Sequence, residues 1–336
     1  MKHDNPAIRE PFRAFRIHQE SGTIRAGIEK IMLDDLTAGD VIIKSVYSSV
    51  NYKDALAGSG QGRILRQYPL VGGIDVAGVV VDSRADKFNV GDQVLITGAG
   101  LSESYDGGYA EYVRAPHRCI IPLPDNLTME QAMVMGTPAL TAALALHRME
   151  QNGQTPQLGP IVITGASGGV GQLAIDLFSA QGYEVIAVSS KNALHSHLTA
   201  LGAAQVTTPE QLTTQQRPLE KARWGGAVDT VGGALLAELC RTIHEWGNIA
   251  SIGLAASEQL NTTVMPFILR GVSILGISST NCPAELRQQL WLRLANDLQP
   301  KHLGLIQRET ITLDQLQTTF LKMLNGTSQG RIIVKV

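Results

Sequence analysis

The chain has 336 residues, a length that suggests two domains. Hydrophobic residues make up 44% and charged residues 17%, which supports a large core and excludes a disordered protein. The net charge of −2 and the absence of any apolar run near the ~18 residues of a membrane span lead us to expect neither nucleic acid nor membrane as a partner.

The cysteines and the first residues bear on the compartment. Cys119, Cys240 and Cys282 are far apart, which argues against a disulfide framework. Residues 1–20 are polar and charged and lack the apolar region of a signal peptide. We therefore expect a reduced, cytoplasmic protein.

Residues 1–130 have the pattern of a β-rich domain. Short apolar runs alternate with glycine-containing turns, which predicts a compact, barrel-like arrangement of strands. The predicted strands cover 41–50, 74–82, 93–96 and 109–114.

From Met129 onward the pattern changes to helices that alternate with strands. A helix is predicted over 130–147, interrupted near Gly136–Pro138, and another over 285–298. The alternation predicts a doubly wound parallel sheet. Its predicted strands cover 161–164, 185–188, 205–208, 227–231, 247–252 and 272–277.

The tail after residue 303 ends in a predicted strand, 330–336, which we expect to return to the first domain. The predicted division is thus 1–130, completed by 303–336, and 131–302.

A glycine-rich turn follows the strand at Ile161. Glycines stand at 165, 168, 169 and 171, and a helical run follows them. Such a turn lets the backbone approach a ligand closely, and the helix start favours a phosphate. The spacing Gly-x-x-Gly-x-x-Gly is a variant of the usual fingerprint, and a turn that binds nothing is the alternative. Because the strand, helix and second strand all stand in place, the pattern favours a dinucleotide site.

The end of the second strand indicates which dinucleotide. An NAD site has an acidic residue there, which binds the ribose 2′-hydroxyl. This chain has Ser189, Ser190 and Lys191 instead. Hydroxyls and a cation suit a 2′-phosphate, so NADPH is the predicted cofactor.

Four segments of the chain carry a family resemblance: Ser48–Leu56, Gly73–Gly78, Gly165–Gly171 and Thr263–Arg270. With them the chain resembles the medium-chain dehydrogenase/reductase superfamily over essentially its whole length, and within it the acrylyl-CoA reductase and quinone oxidoreductase branch. The resemblance implies an α/β fold with a GroES-like β-rich catalytic domain and a doubly wound Rossmann domain.

The zinc alcohol dehydrogenases of this superfamily have Gly-His-Glu where this chain has Gly73-Ile74-Asp75. Ile74 cannot ligate a metal, and no cysteine stands near Asn51 to replace their other ligand. We therefore expect no catalytic zinc.

The resemblance also implies contacts with the cofactor. Ser167, Gly168, Gly169 and Val170 would meet the pyrophosphate, and Ser190 and Lys191, with Ser189, the 2′-phosphate. Tyr52 would line the nicotinamide, and Leu254 would meet the cofactor at the carboxyl end of the strand that it follows. Ile268, Ser279 and Asn325 would border the nicotinamide half or its ribose. In two places the chain departs from the pattern: Lys191 stands where relatives often have arginine, and Pro209 stands near where a second arginine can occur.

Without a metal, the expected chemistry is hydride addition to an activated double bond or to a quinone. Reduction of an enoyl thioester requires hydrogen-bond donors for the enolate and a proton at the α-carbon. Tyr52 is the leading candidate for positioning or protonating the substrate, with Asn51 and Asp54 in the same motif. The alternative is that Tyr52 only packs against the nicotinamide.

Arg63 and Arg66 follow that motif and could bind the phosphates of a CoA ester, or be ordinary solvated arginines. The apolar strand at 272–277 would lie at a sheet edge, which the resemblance pairs across a homodimer.

Three functions stay open. The first is NADPH-dependent reduction of a short 2-enoyl-CoA such as acrylyl-CoA. The second is an NADPH:quinone oxidoreductase, and the third is a non-catalytic NADPH-binding protein.

Overall fold

The computed structural model describes residues 8–213 and 217–336. They divide into two compact units. The first comprises the described residues up to Thr137 together with Thr280–Trp291 and Gln307–Val336, and the second comprises those of Pro138–Ser279 and Leu292–Ile306.

This division differs from the predicted one in three segments. Residues 131–137 and Thr280–Trp291 belong to the first unit, and residues 303–306 belong to the second. Trp291 is fully buried, and its indole N–H donates to Thr97 Oγ1 at 3.1 Å. The sequence gives no sign of this contact because the two residues are far apart along the chain.

The strands, in chain order, are β1 (Phe12–Glu20), β2 (Thr23–Ile31), β3 (Val41–Val50), β4 (Leu70–Val71), β5 (Asp75–Ser83), β6 (Gln93–Thr97), β7 (Tyr112–Ala115), β8 (Ile121–Pro122), β9 (Ile161–Ile163), β10 (Val185–Val188), β11 (Gln205–Thr207), β12 (Trp224–Asp229), β13 (Ile243–Ser251), β14 (Ser273–Gly276), β15 (Gln307–Thr312) and β16 (Arg331–Lys335). The α-helices are α1 (Tyr52–Ser59), α2 (Met129–Gln151), α3 (Gly169–Ala180), α4 (His195–Ala200), α5 (Pro209–Leu212), α6 (Gly233–Thr242), α7 (Met265–Arg270), α8 (Ala284–Ala295), α9 (Leu303–Ile306) and α10 (Leu316–Leu324).

The first unit is built on two sheets. One has the order β15–β16–β3–β5–β6–β8, with β7 also paired to β3, and the other has the order β2–β1–β4. The C-terminal strand β16 pairs antiparallel with β3, with Ile333 opposite Ser49. The predicted return of the tail to this region is confirmed.

Aromatic rings fill the core between these sheets and α10. Phe15 lies edge-on to Phe320, with ring centroids 5.7 Å apart, and edge-on to Tyr109 at 6.3 Å. Gly58 and Gly73 permit this packing, since an added Cβ would lie 2.6 Å from the Phe320 ring and 2.8 Å from the Tyr109 ring respectively. Buried apolar area of this kind is the main source of stability.

The second unit is the predicted doubly wound sheet. Its strand order is β11–β10–β9–β12–β13–β14, and every neighbouring pair is parallel. The order reverses between β9 and β12, which is where such sheets bind ligands at the carboxyl ends of their strands. Strands β12 and β13 begin earlier than predicted, at Trp224 and Ile243. Glycines at 225, 226 and 247 interrupt the apolar pattern of these segments.

Helix α2 confirms the predicted interruption. Gly136 has φ 49° and ψ −156°, and Pro138 follows it. Proline removes a backbone donor and glycine tolerates the unusual backbone, so the helix kinks there.

Within the part of the chain that the structure describes, no helix is both long and apolar enough to span a membrane. Its three cysteines are buried free thiols.

Candidate cofactor and substrate site

The glycine-rich turn joins β9 to α3 in the second unit. Gly165 has φ 60°, and a Cβ there would lie 2.1 Å from Thr230 Oγ1. A Cβ on Gly171 would lie 2.5 Å from the carbonyl oxygen of Gly165. Only glycine fits both positions, so the backbone turns tightly into the helix. The N–H groups of the first helical turn have no acceptor within the helix and suit an anion.

A pocket of about 740 Å³ opens beside this turn. Gly165 and Ser167 line one part of it, and Ser189 and Ser190, at the end of β10, line another. Its volume lies in the range usual for small-molecule sites. The structure thus brings the predicted pyrophosphate turn and the predicted 2′-phosphate serines to one cavity.

Several predicted cofactor residues directly follow, in the chain, residues that line this cavity. Gly168 caps α3, and Gly169 and Val170 begin it. Lys191 is half-buried, and its backbone N–H donates to Ser189 Oγ at 3.1 Å. This bond fixes the turn after β10.

Sequence reasoning missed the pocket's acidic and arginine side chains. Glu210 lines the cavity at the start of α5, beside Pro209. A hydrogen bond from Thr208 lowers the pKa of the Glu210 carboxyl, so it is ionised at neutral pH. Arg241 also lines the cavity and pairs with Glu238 at 2.9 Å. The sequence signal for Glu210 was its place next to Pro209, directly after β11.

The other predicted cofactor residues of the second unit lie after its strands. Leu254 follows β13 and is 66% exposed, and Ile268 in α7 is 73% exposed. Ser279 is half-buried, three residues beyond β14. Large exposed apolar side chains in this position are available to a ligand.

The remaining predicted residues belong to the first unit. Asn325 is the exposed C-cap residue of α10. Tyr52 is the first residue of α1 and is 50% exposed, so its phenol is accessible. Arg63 and Arg66 are exposed in the loop between α1 and β4, and the backbone N–H of Arg66 donates to the carbonyl of Glu103 at 2.8 Å.

Asn51 and Asp54 hold the start of α1. Asp54 is buried, and its carboxylate accepts the backbone N–H of Asn51 at 2.9 Å and that of Ile74 at 3.0 Å. Burial and the nearby Asp75 raise the pKa of Asp54 to about 7. Both side chains are buried in the first turn of α1, which begins at Tyr52.

Asn51 also joins a buried polar network centred on Asp75 and Arg331, which sequence reasoning did not single out. Asp75 accepts from Ser49 Oγ at 2.7 Å and Asn51 Nδ2 at 2.9 Å, and from the N–H and hydroxyl of Thr137 at 3.1 and 2.5 Å. Arg331 Nη2 lies 3.8 Å from Asp75 Oδ2. The signal was Asp75 itself, in the Gly73–Gly78 segment quoted for the resemblance.

All donor groups of Arg331 are used. Nε donates to the carbonyl of Val134, Nη1 to Val50 and to Asn51 Oδ1, and Nη2 to Ser49 Oγ and to Met133, at 2.7–3.3 Å. Burial lowers the pKa of Arg331. The guanidinium thus ties β16 to β3, the start of α1 and the kink of α2.

Ile74, which stands where the zinc enzymes have histidine, is a buried apolar residue next to Asp75 in the chain. Among residues 8–213 and 217–336 no group of three or more His, Cys, Asp and Glu side chains is arranged to hold a metal ion.

Two protein-family models match the chain. Residues 37–125 match the alcohol dehydrogenase GroES-like domain, and residues 169–296 match the family described as zinc-binding dehydrogenase. A relative from Bacillus subtilis, named "putative quinone oxidoreductase YhfP", is 41% identical over 97% of this chain and 99% of its own length. The acrylyl-CoA reductase AcuI of Ruegeria pomeroyi is 40% identical over 95% of this chain and 96% of its own.

The chain belongs to the medium-chain dehydrogenase/reductase superfamily. Its fold class is therefore as predicted: a GroES-like domain and a Rossmann domain with a parallel sheet.

Solved structures of this superfamily agree. Escherichia coli YhdH with bound NADPH is 40% identical, with a TM-score of 0.92 over 96% of this chain and 99% of that one. Bacillus subtilis YhfP with bound NAD is 41% identical, with a TM-score of 0.94 over 97% of this chain and 100% of that one. The chain is thus an oxidoreductase of the type shared by AcuI and YhfP.

Proposed function

We propose that this protein is an NADPH-dependent reductase of an activated carbon–carbon double bond. Within this class, the substrate we propose is a short 2-enoyl-CoA such as acrylyl-CoA. The observation that carries the cofactor assignment is the pocket in which the glycine turn and Ser189–Ser190 meet, with no carboxylate at the end of β10. The observation that favours the substrate is the similarity to the AcuI reductase over nearly the whole chain.

The nucleotide fits the residues present. Gly165 and Gly171 permit the tight turn, since a Cβ at either position would collide with the protein's own atoms, and α3 begins directly after this turn. Ser189, Ser190 and Lys191 would hold the 2′-phosphate. NADPH, when bound, supplies the hydride; solved relatives were obtained with NADPH and with NAD.

In this proposal, Tyr52 lines the nicotinamide side and is the candidate proton donor. Tyr52 stands at the start of α1 and is half-exposed, so its side chain is accessible to a ligand. Asn51 and Asp54 act as positioning residues, because their hydrogen bonds fix the backbone on which Tyr52 stands.

Two variants separate the roles of Tyr52. If its hydroxyl supplies the proton, Tyr52→Phe should lower kcat by roughly 10²- to 10⁴-fold and leave NADPH affinity near normal. If the ring only packs against the nicotinamide, Tyr52→Phe should be nearly neutral and Tyr52→Ala should weaken NADPH binding. Stopped-flow turnover and fluorescence titration of NADPH measure the two effects separately.

Arg63 and Arg66 provide a test for the CoA portion of the substrate. Both guanidinium groups are exposed in one loop of the first unit. The double variant Arg63→Gln/Arg66→Gln should raise KM for acrylyl-CoA and leave KM for benzoquinone unchanged. Equal effects on both substrates would remove these arginines as CoA-binding residues.

The alternative function is an NADPH:quinone oxidoreductase, which the name of the Bacillus relative favours. Consumption of NADPH with acrylyl-CoA and with benzoquinone, compared as kcat/KM, decides between the two. Tight NADPH binding with turnover of neither would favour the third possibility, a non-catalytic NADPH-binding protein.

We also propose that the protein is a homodimer paired through β14. This strand lies at the end of the parallel sheet, and its residues are half-buried or exposed although Ile274 and Leu275 are apolar. Unpaired edges of this kind are usually covered. Light scattering on Ile274→Lys should show a monomer where the unchanged protein is a dimer.

A further inference from the structure

A small basic pocket lies in the first unit and shares no lining residue with the cavity beside the glycine turn. Lys87 lies between β5 and β6, His117 and Arg118 lie in the turn between β7 and β8, and Arg287 is in the first half of α8. Their side chains line a cavity of about 110 Å³.

Arg287 is the most informative of these residues. It is only 5% exposed, and its Nη2 donates to the carbonyl of Cys282 at 2.7 Å. Its buried Nε finds no acceptor among the described residues, and none of their carboxylates lies within ion-pair distance. A buried cation with an unused donor is costly unless an anion compensates it.

The other cations add to the positive charge. Lys87 Nζ lies 3.5 Å from Gln288 Oε1, and Arg118 donates to the hydroxyl of Tyr105; neither is paired with a carboxylate of the described residues. His117 is bonded to Asp40. Among the described lining residues Glu285 is the only carboxylate, so positive charge is in excess.

The start of α8 strengthens this field. Ala284 and Glu285, its first two residues, also line the pocket. The first N–H groups of a helix lack acceptors within it and carry partial positive charge. A fork-shaped guanidinium beside a helix start matches the oxygens of a tetrahedral anion.

We propose that this pocket binds a phosphate group. The cavity has room for one such group and for little else, with apolar walls formed by Ile120 and Ile121. The phosphate could be inorganic phosphate or the 3′-phosphate of a CoA thioester. The second source rests on the proposed function, whereas the first does not.

The test is calorimetric titration of inorganic phosphate into the protein without NADPH. The double variant Lys87→Gln/Arg118→Gln removes two exposed charges and leaves buried Arg287 in place. We expect it to weaken phosphate binding by about tenfold or more, because each lost cation removes a charge-assisted hydrogen bond. Lys87→Arg/Arg118→Lys should retain most of the affinity.

The matched control is Arg25→Gln/Lys30→Gln, which makes the same change in net charge on exposed side chains of β2 that do not line the pocket. It should bind phosphate within twofold of the unchanged protein. Equal weakening in both double variants, or no saturable phosphate binding at all, would overturn the proposal.

A second titration identifies the source. If the 3′-phosphate of CoA occupies the pocket, CoA should bind more tightly than 3′-dephospho-CoA, and Lys87→Gln/Arg118→Gln should abolish that difference. If the difference persists in the variant while phosphate binding is lost, the occupant is free phosphate. Because these titrations involve no turnover, their failure is distinct from failure of the reductase assay.

Discussion

The two units use polar groups in opposite ways. In the first unit, Asp75 and Arg331 are buried and their hydrogen bonds are made to the protein's own groups. In the second, Ser167 and Ser190 line a cavity of about 740 Å³ beside a glycine turn. A fully satisfied buried network fixes a conformation, whereas groups lining a cavity are available to a ligand. The comparison predicts that changes in the Asp75–Arg331 network mainly affect stability, whereas changes at the cavity beside the glycine turn mainly affect cofactor binding.

Removing Arg331 should produce the largest effect. Arg331→Met would leave Asp75 as a buried carboxylate without its cation and would remove the hydrogen bonds that Arg331 donates to the carbonyls of Val134 and Val50. The expected loss in the free energy of unfolding is roughly 3–5 kcal/mol. Urea unfolding measures it, and Lys335→Met, at an exposed position of the same strand, is the control that should change stability by about 0.5 kcal/mol or less. A small loss in Arg331→Met would mean that the network does not stabilise the first unit.

This network also shows where prediction from sequence ends. Local patterns predicted part of the fold: β3 and β10 match their predicted bounds, and the Gly136 kink and the glycine turn stand where expected. Each of these features depends on neighbouring residues. Local patterns did not predict β1, β2 or β15. The pairing of Asp75 with Arg331 joins residues from opposite parts of the chain, so no local pattern reports it. Glu210 was missed although it follows Pro209 after β11, because its place in the pocket depends on how β10 and β11 pair.

Asp54 should make stability depend on pH. Its carboxyl has a pKa of about 7 in the folded protein, raised mainly by burial, against about 4 when unfolded. A raised pKa means that the stabilising contribution is fully present below about pH 4 and is lost as the pH rises to about 7, by up to about 4 kcal/mol. The unfolding free energy of Asp54→Asn should therefore fall less steeply between pH 4 and pH 7 than that of the unchanged protein. Asp125→Asn, at an exposed carboxyl, should follow the unchanged protein. If the unfolding free energy of Asp54→Asn fell with pH as steeply as that of the unchanged protein, the raised pKa of Asp54 would be contradicted.

Gly136 tests how tightly the network is packed. A Cβ there would lie 2.6 Å from Asp75 Oδ2 and 2.8 Å from Arg331 Nη2, and φ is +49°. Gly136→Ala should cost about 2–3 kcal/mol, from backbone strain and from displacement of the ion pair. Gly153→Ala separates the two causes, because Gly153 also has a positive φ, +78°, but has nothing within 4 Å of an added Cβ. Its cost should be about 1 kcal/mol. Equal costs in thermal unfolding would show that strain alone accounts for the effect at Gly136.

The smallest effect, and the one that tests the second unit directly, is expected at Lys191. Lys191 is half-buried after β10 and follows Ser189 and Ser190, which line the cavity. Its charge should favour the 2′-phosphate of NADPH, whereas Glu210 in the same cavity should oppose it. Lys191→Ala should weaken NADPH binding by about tenfold, which corresponds to about 1.4 kcal/mol, and leave NADH binding and the unfolding midpoint nearly unchanged. Lys301→Ala, at an exposed lysine of the same unit, should alter neither affinity. Fluorescence titration with both nucleotides measures the ratio. A parallel loss of NADPH and NADH affinity would mean that Lys191 holds the turn after β10 and does not bind the 2′-phosphate. Lys191 would then stabilise the protein's own structure, as Asp75 and Arg331 do in the first unit.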